Sequence, residues 1–206
     1  SIHWKEENTS SYRVKVKSDG KIYGADIFSL QKPRSRNYLH EWIFHHLCKE
    51  MGLVSLNYKF VNLIKNGEDK GLYVFEESFS NELIERNKRR DGPIFSLNEK
   101  ISVDFKKTEI EVYDKKKWEH LSITKIAALK IIDFFKRKEN SIDNIDIDLW
   151  AKYFAIIDLT QTYHGSLAKS VKFFYNPVSG LIEPIGFDGH YFPLSKIDGS
   201  KAFNKG

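Results

Sequence analysis

Several acidic and histidine-bearing segments of this 206-residue chain have the residue types that catalysis uses. The run His40-Glu41-Trp42-Ile43-Phe44-His45 comes close to a zinc-protease helix. That chemistry needs two histidines four residues apart, so that both face one metal. Here they are five apart, about 140° out of phase on a helix, which argues against it. A strained serine elbow flanked by glycines is missing, as is a Gly-Lys-Ser/Thr phosphate loop. Two aspartates remain. Asp158 falls near the C-terminal end of an apolar helix, where the helix dipole disfavours an anion, so it reads either as functional or as a solvated helix-end carboxylate. Asp188 stands between Gly186-Phe187 and Gly189-His190. Glycines around a carboxylate let backbone and ligand approach closely, although an ordinary Asp-Gly turn has the same residues.

The elements that must hold these residues follow from periodicity. Tyr12–Lys17 alternates apolar and basic residues and reads as a half-buried strand. Arg36–Gly52 reads as a helix with Leu39, Ile43, Leu47 and Met51 on its inward face and Gly52 as its stop. Tyr58–Ile64 and Gly71–Phe75 form a hairpin around Asn66-Gly67, with a loop longer than the two-residue form. Ser80–Arg90 is a helix ending in a basic turn. Pro93–Leu97 and Glu109–Tyr113 are short strand-like pieces. Ser122–Lys138 is a helix with Ile126, Leu129, Ile132 and Phe134 mostly inward, and Asp143–Asp148 leads into another at Leu149–Leu159. Val171–Tyr175 and Leu181–Ile185 form a last hairpin that runs into Asp188. The mixture is an α+β fold. A basic strand, a helix carrying Glu41, a hairpin ending in Glu76-Glu77, a helical region and a hairpin leading into an Asp is the order a protein-kinase-like domain requires. Its chemistry uses a Lys on the phosphates, a Glu to orient it and an Asp on Mg²⁺.

Composition narrows the class. Hydrophobic residues make up 41% and aromatic residues 14%, enough for a packed core and inconsistent with disorder. No apolar run approaches the ~18 residues a membrane-spanning helix needs. Cys48 is the single cysteine, so neither an internal disulfide nor a cysteine-built zinc site can form. The net charge is +5, but 26 Lys stand against 7 Arg and are dispersed among 28 carboxylates. Nucleic-acid recognition favours clustered arginines, so this balance argues against it, while an anionic ligand such as a nucleotide is compatible. The block Lys115-Lys116-Lys117 reads as a solvated loop. Ser1–Ser11 has no signal-peptide or transit-peptide pattern, and both ends read as cut, so a fragment of a longer polypeptide is expected.

The segments YRVKVK (12–17), FSLQKPRSRNYLHEW (28–42), NLIKNGEDKGLYVFEESF (62–79), Gly92-Pro93-Ile94 and KFFYNPVSGLIEPIGFDG (172–189) resemble the CotH kinase family of spore-coat-protein-H-like proteins. The likeness runs over roughly residues 10–192, with a divergent stretch at 97–145. It implies a single two-lobed, atypical protein-kinase-like domain that is incomplete in this chain. One lobe would take about residues 10–78 and the helical lobe about 79–206. It further implies binding of ATP with Mg²⁺ or Mn²⁺ and phosphoryl transfer to Ser or Thr of a coat, envelope or secreted protein, with a lean towards a cell-surface or spore-coat location. An inactive pseudokinase or surface-binding module of the same fold is the alternative.

The resemblance assigns Lys15 to the phosphates and Glu41 as its helix partner, although Glu41 also has Arg36 and Lys49 within pairing reach. Glu77 falls near the base-binding turn between lobes, and Asp188 matches the metal-binding Asp. Where the family commonly has a metal-binding Asn, this chain has Ser170, whose hydroxyl is the poorer ligand for a hard cation. Counting back from Ser170 to the expected catalytic Asp reaches Gly165 and His164. The general base is therefore Asp158, through a longer loop, or His164. The residues before Tyr12 are too few for the phosphate-covering hairpin of a kinase.

Overall fold

Alternating exposure along Tyr12–Lys15 makes this segment the edge strand β1, with Arg13 and Lys15 outward. This computed structural model describes residues 11–17, 20–97, 110–135, 138–167 and 170–194. The second strand, β2 (Ile27–Gln31), pairs antiparallel with β1 and buries Phe28 and Leu30 on one face. It was not anticipated as an element, because five residues with one clear alternation are a weak local signal. A 3₁₀ turn at Pro33–Arg36 follows, then α1 (Leu39–Glu50), β3 (Val54–Ser55), β4 (Tyr58–Lys65) and β5 (Glu68–Glu77). The first sheet has the order β1-β2-β5-β4.

Helix α1 corrects two expectations. It begins at Leu39 rather than Arg36, because Asn37 and Tyr38 adopt positive φ and interrupt the helical path. Its buried residues are Glu41, Phe44, His45 and Cys48, whereas Leu39, Ile43 and Met51 are exposed. Phe44 and Cys48 join the core while Glu41 is held inward by Arg36, so the inward face is rotated away from the apolar stripe. The β4–β5 turn is also shorter than expected. Lys65 pairs with Glu68, leaving Asn66 (φ 55°) and Gly67 (φ 80°) as the two left-handed residues of a tight hairpin.

Helix α2 (Asn81–Arg86) stops four residues before the expected end at Arg90, and Arg89 instead reaches Glu183. Strands β6 (Ile94–Leu97) and β7 (Ile110–Val112) are antiparallel neighbours, and residues 98–109 between them lie outside the described residues. Lys115–Trp118 is a one-turn helix, α3, rather than a loop, with Lys117 paired to Asp91. Helix α4 (Ser122–Phe135) turns Ala127 and Ile131 inward and leaves Ile126 and Leu129 exposed, opposite to expectation for those two. Residues 136–137 of the expected helix lie outside the described set. Helix α5 (Ile147–Thr160) starts where Asp146 accepts a hydrogen bond from the Leu149 amide, a conventional N-cap. The hairpin β8 (Lys172–Tyr175) and β9 (Ile182–Gly186) completes a second sheet of order β3-β9-β8-β6-β7.

The largest core cluster joins α1, α4 and α5 to the second sheet through Phe44, Cys48, Ile131, Tyr153, Ile157 and Phe173. A separate cluster, including Phe28, Leu30, Tyr73 and Phe75, lines one face of the first sheet. Helix α1 contacts α5, β3, β4 and β9, which sets it against elements of both sheets. None of the helices among the described residues is long and apolar enough to cross a membrane.

Candidate active site

Segment 186–189 reaches α1 because its glycines permit direct contact. A β-carbon on Gly189 would overlap the Phe44 ring, and one on Gly186 would lie 2.8 Å from Cys48 Sγ. Between them Asp188 adopts φ 59°, a left-handed conformation that aspartate tolerates better than most residues. This close packing brings the carboxylate to Arg36, which the 3₁₀ turn at Pro33–Arg36 presents from the other side.

Four donors converge on Asp188. Arg36 Nη1 donates to Oδ1 at 2.5 Å, and His190 Nδ1 lies 3.0 Å from the same oxygen. His164 Nδ1 lies 2.5 Å from Oδ2, and the Ser170 hydroxyl donates to Oδ2 at 2.7 Å. Burial by itself raises a carboxyl pKa. The hydrogen bonds from both histidines and the charge of Arg36 outweigh it and hold Asp188 well below the usual carboxylate range.

Arg36 extends the network upstream. Its Nε donates to Gln31 Oε1 at 2.9 Å and lies 3.5 Å from Glu41 Oε2, and the Gln31 amide donates to Glu76. Glu41 is fully buried; burial raises its pKa, but Arg36 and then His45 bring it below normal. Glu76 goes the other way. Burial, reinforced by the negative charges of Glu41 and Asp188, pushes it up to about 8 against the pull of Arg36. One guanidinium thus serves three buried carboxylates.

The proposed site residues divide into two groups. Glu41, Asp188, Ser170 and His164 belong to this connected centre. Lys15 is exposed on edge strand β1. Glu77 points away from Glu76, as neighbours in a strand must. It is ion-paired with Arg86 and accepts from the Asn57 amide at 2.8 Å. Asp158 is exposed near the end of α5 and accepts from the Tyr163 hydroxyl at 2.8 Å, one residue before His164. Arg36, Glu76, Gln31 and His190 were not proposed as site residues. Arg36 entered only as a rival partner for Glu41, and a histidine two residues beyond Asp188 was the one local signal for His190.

The centre is assembled from a sheet, a helix carrying a buried Glu, a loop after an apolar helix, and a hairpin ending in Asp188. Compared with known protein families, residues 3–188 match the family described as CotH kinase protein. The chain belongs to the CotH kinase family. The match covers most of the chain, and with the two sheets and intervening helices it makes this a kinase-like α+β domain. No curated protein matches the chain. Within this CotH kinase domain, the cation that meets the α1 glutamate is Arg36, 3.5 Å away.

Proposed function

We propose that the domain binds ATP with a divalent metal and transfers the γ-phosphoryl group to a Ser or Thr hydroxyl of a protein, as its family resemblance implies for coat, envelope or secreted substrates. The observation that carries this reading is Arg36, which bridges Glu41 of α1 and Asp188 after β9. A fixed cation oriented by a helix glutamate, next to a metal-type aspartate, is what phosphoryl transfer needs for positioning and charge stabilisation.

Asp188 and Ser170 are the oxygen donors suited to a nucleotide-bound Mg²⁺ or Mn²⁺, which when bound would neutralise phosphate charge. A single carboxylate beside substrate phosphates is a common arrangement for Mg²⁺. Arg36, held by Glu41 and Gln31, would bind phosphate oxygens. Lys15, on the strand beside β2, would add a second positive charge at the phosphates, and Glu77 lies on the strand leading to the base-binding turn. Asp158 is the stronger choice for general base. It is accessible to an incoming hydroxyl and held by Tyr163, whereas His164 is committed to Asp188. The hydroxyl proton would pass to Asp158 as the oxygen attacks phosphorus and the bond to the ADP leaving group breaks.

Thermal unfolding with and without Mg-ATP or Mn-ATP tests the binding step. Ligand at 100 times its dissociation constant adds about 2.7 kcal/mol. That metal-dependent gain should vanish in Asp188→Ala; retention would remove Asp188 from the site. Asp158→Asn should keep the gain and lose transfer by roughly a hundredfold or more, the range for a general base. A second reading, a nucleotide-binding pseudokinase or surface-binding module, is favoured by Ser170 in the position of the family's Asn. Nucleotide-dependent stabilisation with no transfer to any protein hydroxyl would select it.

A further inference from the structure

We propose that the Asp188 centre also binds a first-row transition ion of the Zn²⁺, Co²⁺ or Fe²⁺ type through His164, Asp188 and His190, without nucleotide. This deepens the phosphoryl-transfer reading at Asp188, yet does not require ATP. The three side chains each offer one ligand atom, and those atoms lie within 4.8 Å of one another. Two ligand atoms about 2.0–2.2 Å from one metal stand roughly 3–4 Å apart, so small side-chain adjustments suffice. The histidine rings are neighbours, with centroids 4.6 Å apart, and their Nδ1 atoms address opposite oxygens of one carboxylate.

Donor chemistry selects the ion. Without phosphates, Asp188 and Ser170 supply two protein oxygens, a poor match for the oxygen shell that Mg²⁺ demands. Two imidazole nitrogens with one carboxylate suit borderline ions, which tolerate open positions filled by water. Binding takes each imidazole as the neutral tautomer with its proton on Nε2, which leaves the Nδ1 lone pair to the cation.

A second, independent observation is charge. Among the described residues, Arg36 is the permanent cation whose field acts on Glu41, Glu76 and Asp188 together. Glu41 Oε1 and Glu76 Oε1 are buried without a hydrogen-bond partner. Glu41 and Asp188 lie against the one guanidinium of Arg36, at 3.5 and 2.5 Å, and leave a negative excess that a divalent ion offsets.

The test is titration of the nucleotide-free full chain with Co²⁺, read by its visible absorption, for the wild type, His164→Ala and His190→Ala, with folding checked by circular dichroism. The wild type should bind one Co²⁺ with a nitrogen-oxygen spectrum. Each substitution should weaken binding by at least about tenfold, the loss that even outer-shell partners cause. Zn²⁺ should displace Co²⁺ at stoichiometric levels and Mg²⁺ should not. His190→Gln serves as the second variant if an alanine variant fails to fold. No binding, binding indifferent to both histidines, or displacement by Mg²⁺ as ready as by Zn²⁺ would overturn the proposal. Mg-ATP stabilisation measured in parallel keeps the two readings apart. If it persists while Co²⁺ ignores the histidines, only this inference fails; if it is absent while Co²⁺ obeys them, the kinase reading fails.

Discussion

Two buried ionic regions of this domain are built on opposite principles. Around α2, Arg86 pairs with Glu77 and Arg89 with Glu183, one cation to one carboxylate. The remaining valences there close on neutral groups: Arg89 Nη2 donates to the Gly52 carbonyl, and Asn176 donates to Glu183. Around Asp188, one guanidinium serves three carboxylates, and two carboxylate oxygens have no hydrogen-bond partner. Balanced pairs of the first kind hold elements together. An unbalanced centre is kept from full neutrality by its own fold, which is the condition for binding something positive or something carried by a metal.

The largest effect that would sharpen this contrast is at Arg36. Arg36→Ala leaves three buried carboxylates without their common cation and should lower stability by about 4 kcal/mol, the scale for breaking a buried pair. Part of that loss should return on adding a divalent cation, read by thermal unfolding. Arg89→Ala comes next, at about 3 kcal/mol on the same grounds. There the added cation should restore nothing, and Mg-ATP should bind as before. Equal rescue of both variants would break the distinction.

The last effect is a pH dependence at Glu76. Its carboxyl is raised in the folded state to about 8 from an ordinary 4.5. Stability held by the protonated form is therefore complete below about pH 4.5 and lost as pH rises through about 8. Glu76→Gln should match the wild type near pH 5 and become progressively more stable than it towards pH 9, measured by denaturant unfolding across that range. Asp188, whose carboxyl is depressed, has the opposite sign, and its contribution is lost on acidification. A flat difference between Glu76→Gln and wild type would mean that Glu76 is ionised and compensated at neutral pH.

Legibility in the sequence followed the range of the interactions. Helix α5, the tight turn at Asn66-Gly67 and the β8–β9 hairpin rest on contacts between residues close in the chain, and each was expected, although the turn proved two residues long. Asp188 was legible because glycines flank it and a hairpin delivers it. The inward face of α1 was not, since its apolar residues Leu39, Ile43 and Met51 look like the core while Glu41 and His45 look like the surface. A buried glutamate is paid for by an arginine that only the fold brings near.

What the sequence determined by itself was the α+β class, the family, the longer helices and hairpins in their order, and that Glu41, Ser170, His164 and Asp188 carry the chemistry-bearing types. Only the tertiary structure decided that Arg36 joins Glu41 to Asp188 across 152 residues, that Glu76 faces the centre while Glu77 serves α2, and that His190 closes on the same carboxylate. The physical reason is that local propensity and spacing act over a few residues. The sharing of one buried cation among three carboxylates depends on which strands and turns meet in space, and no local pattern encodes that meeting.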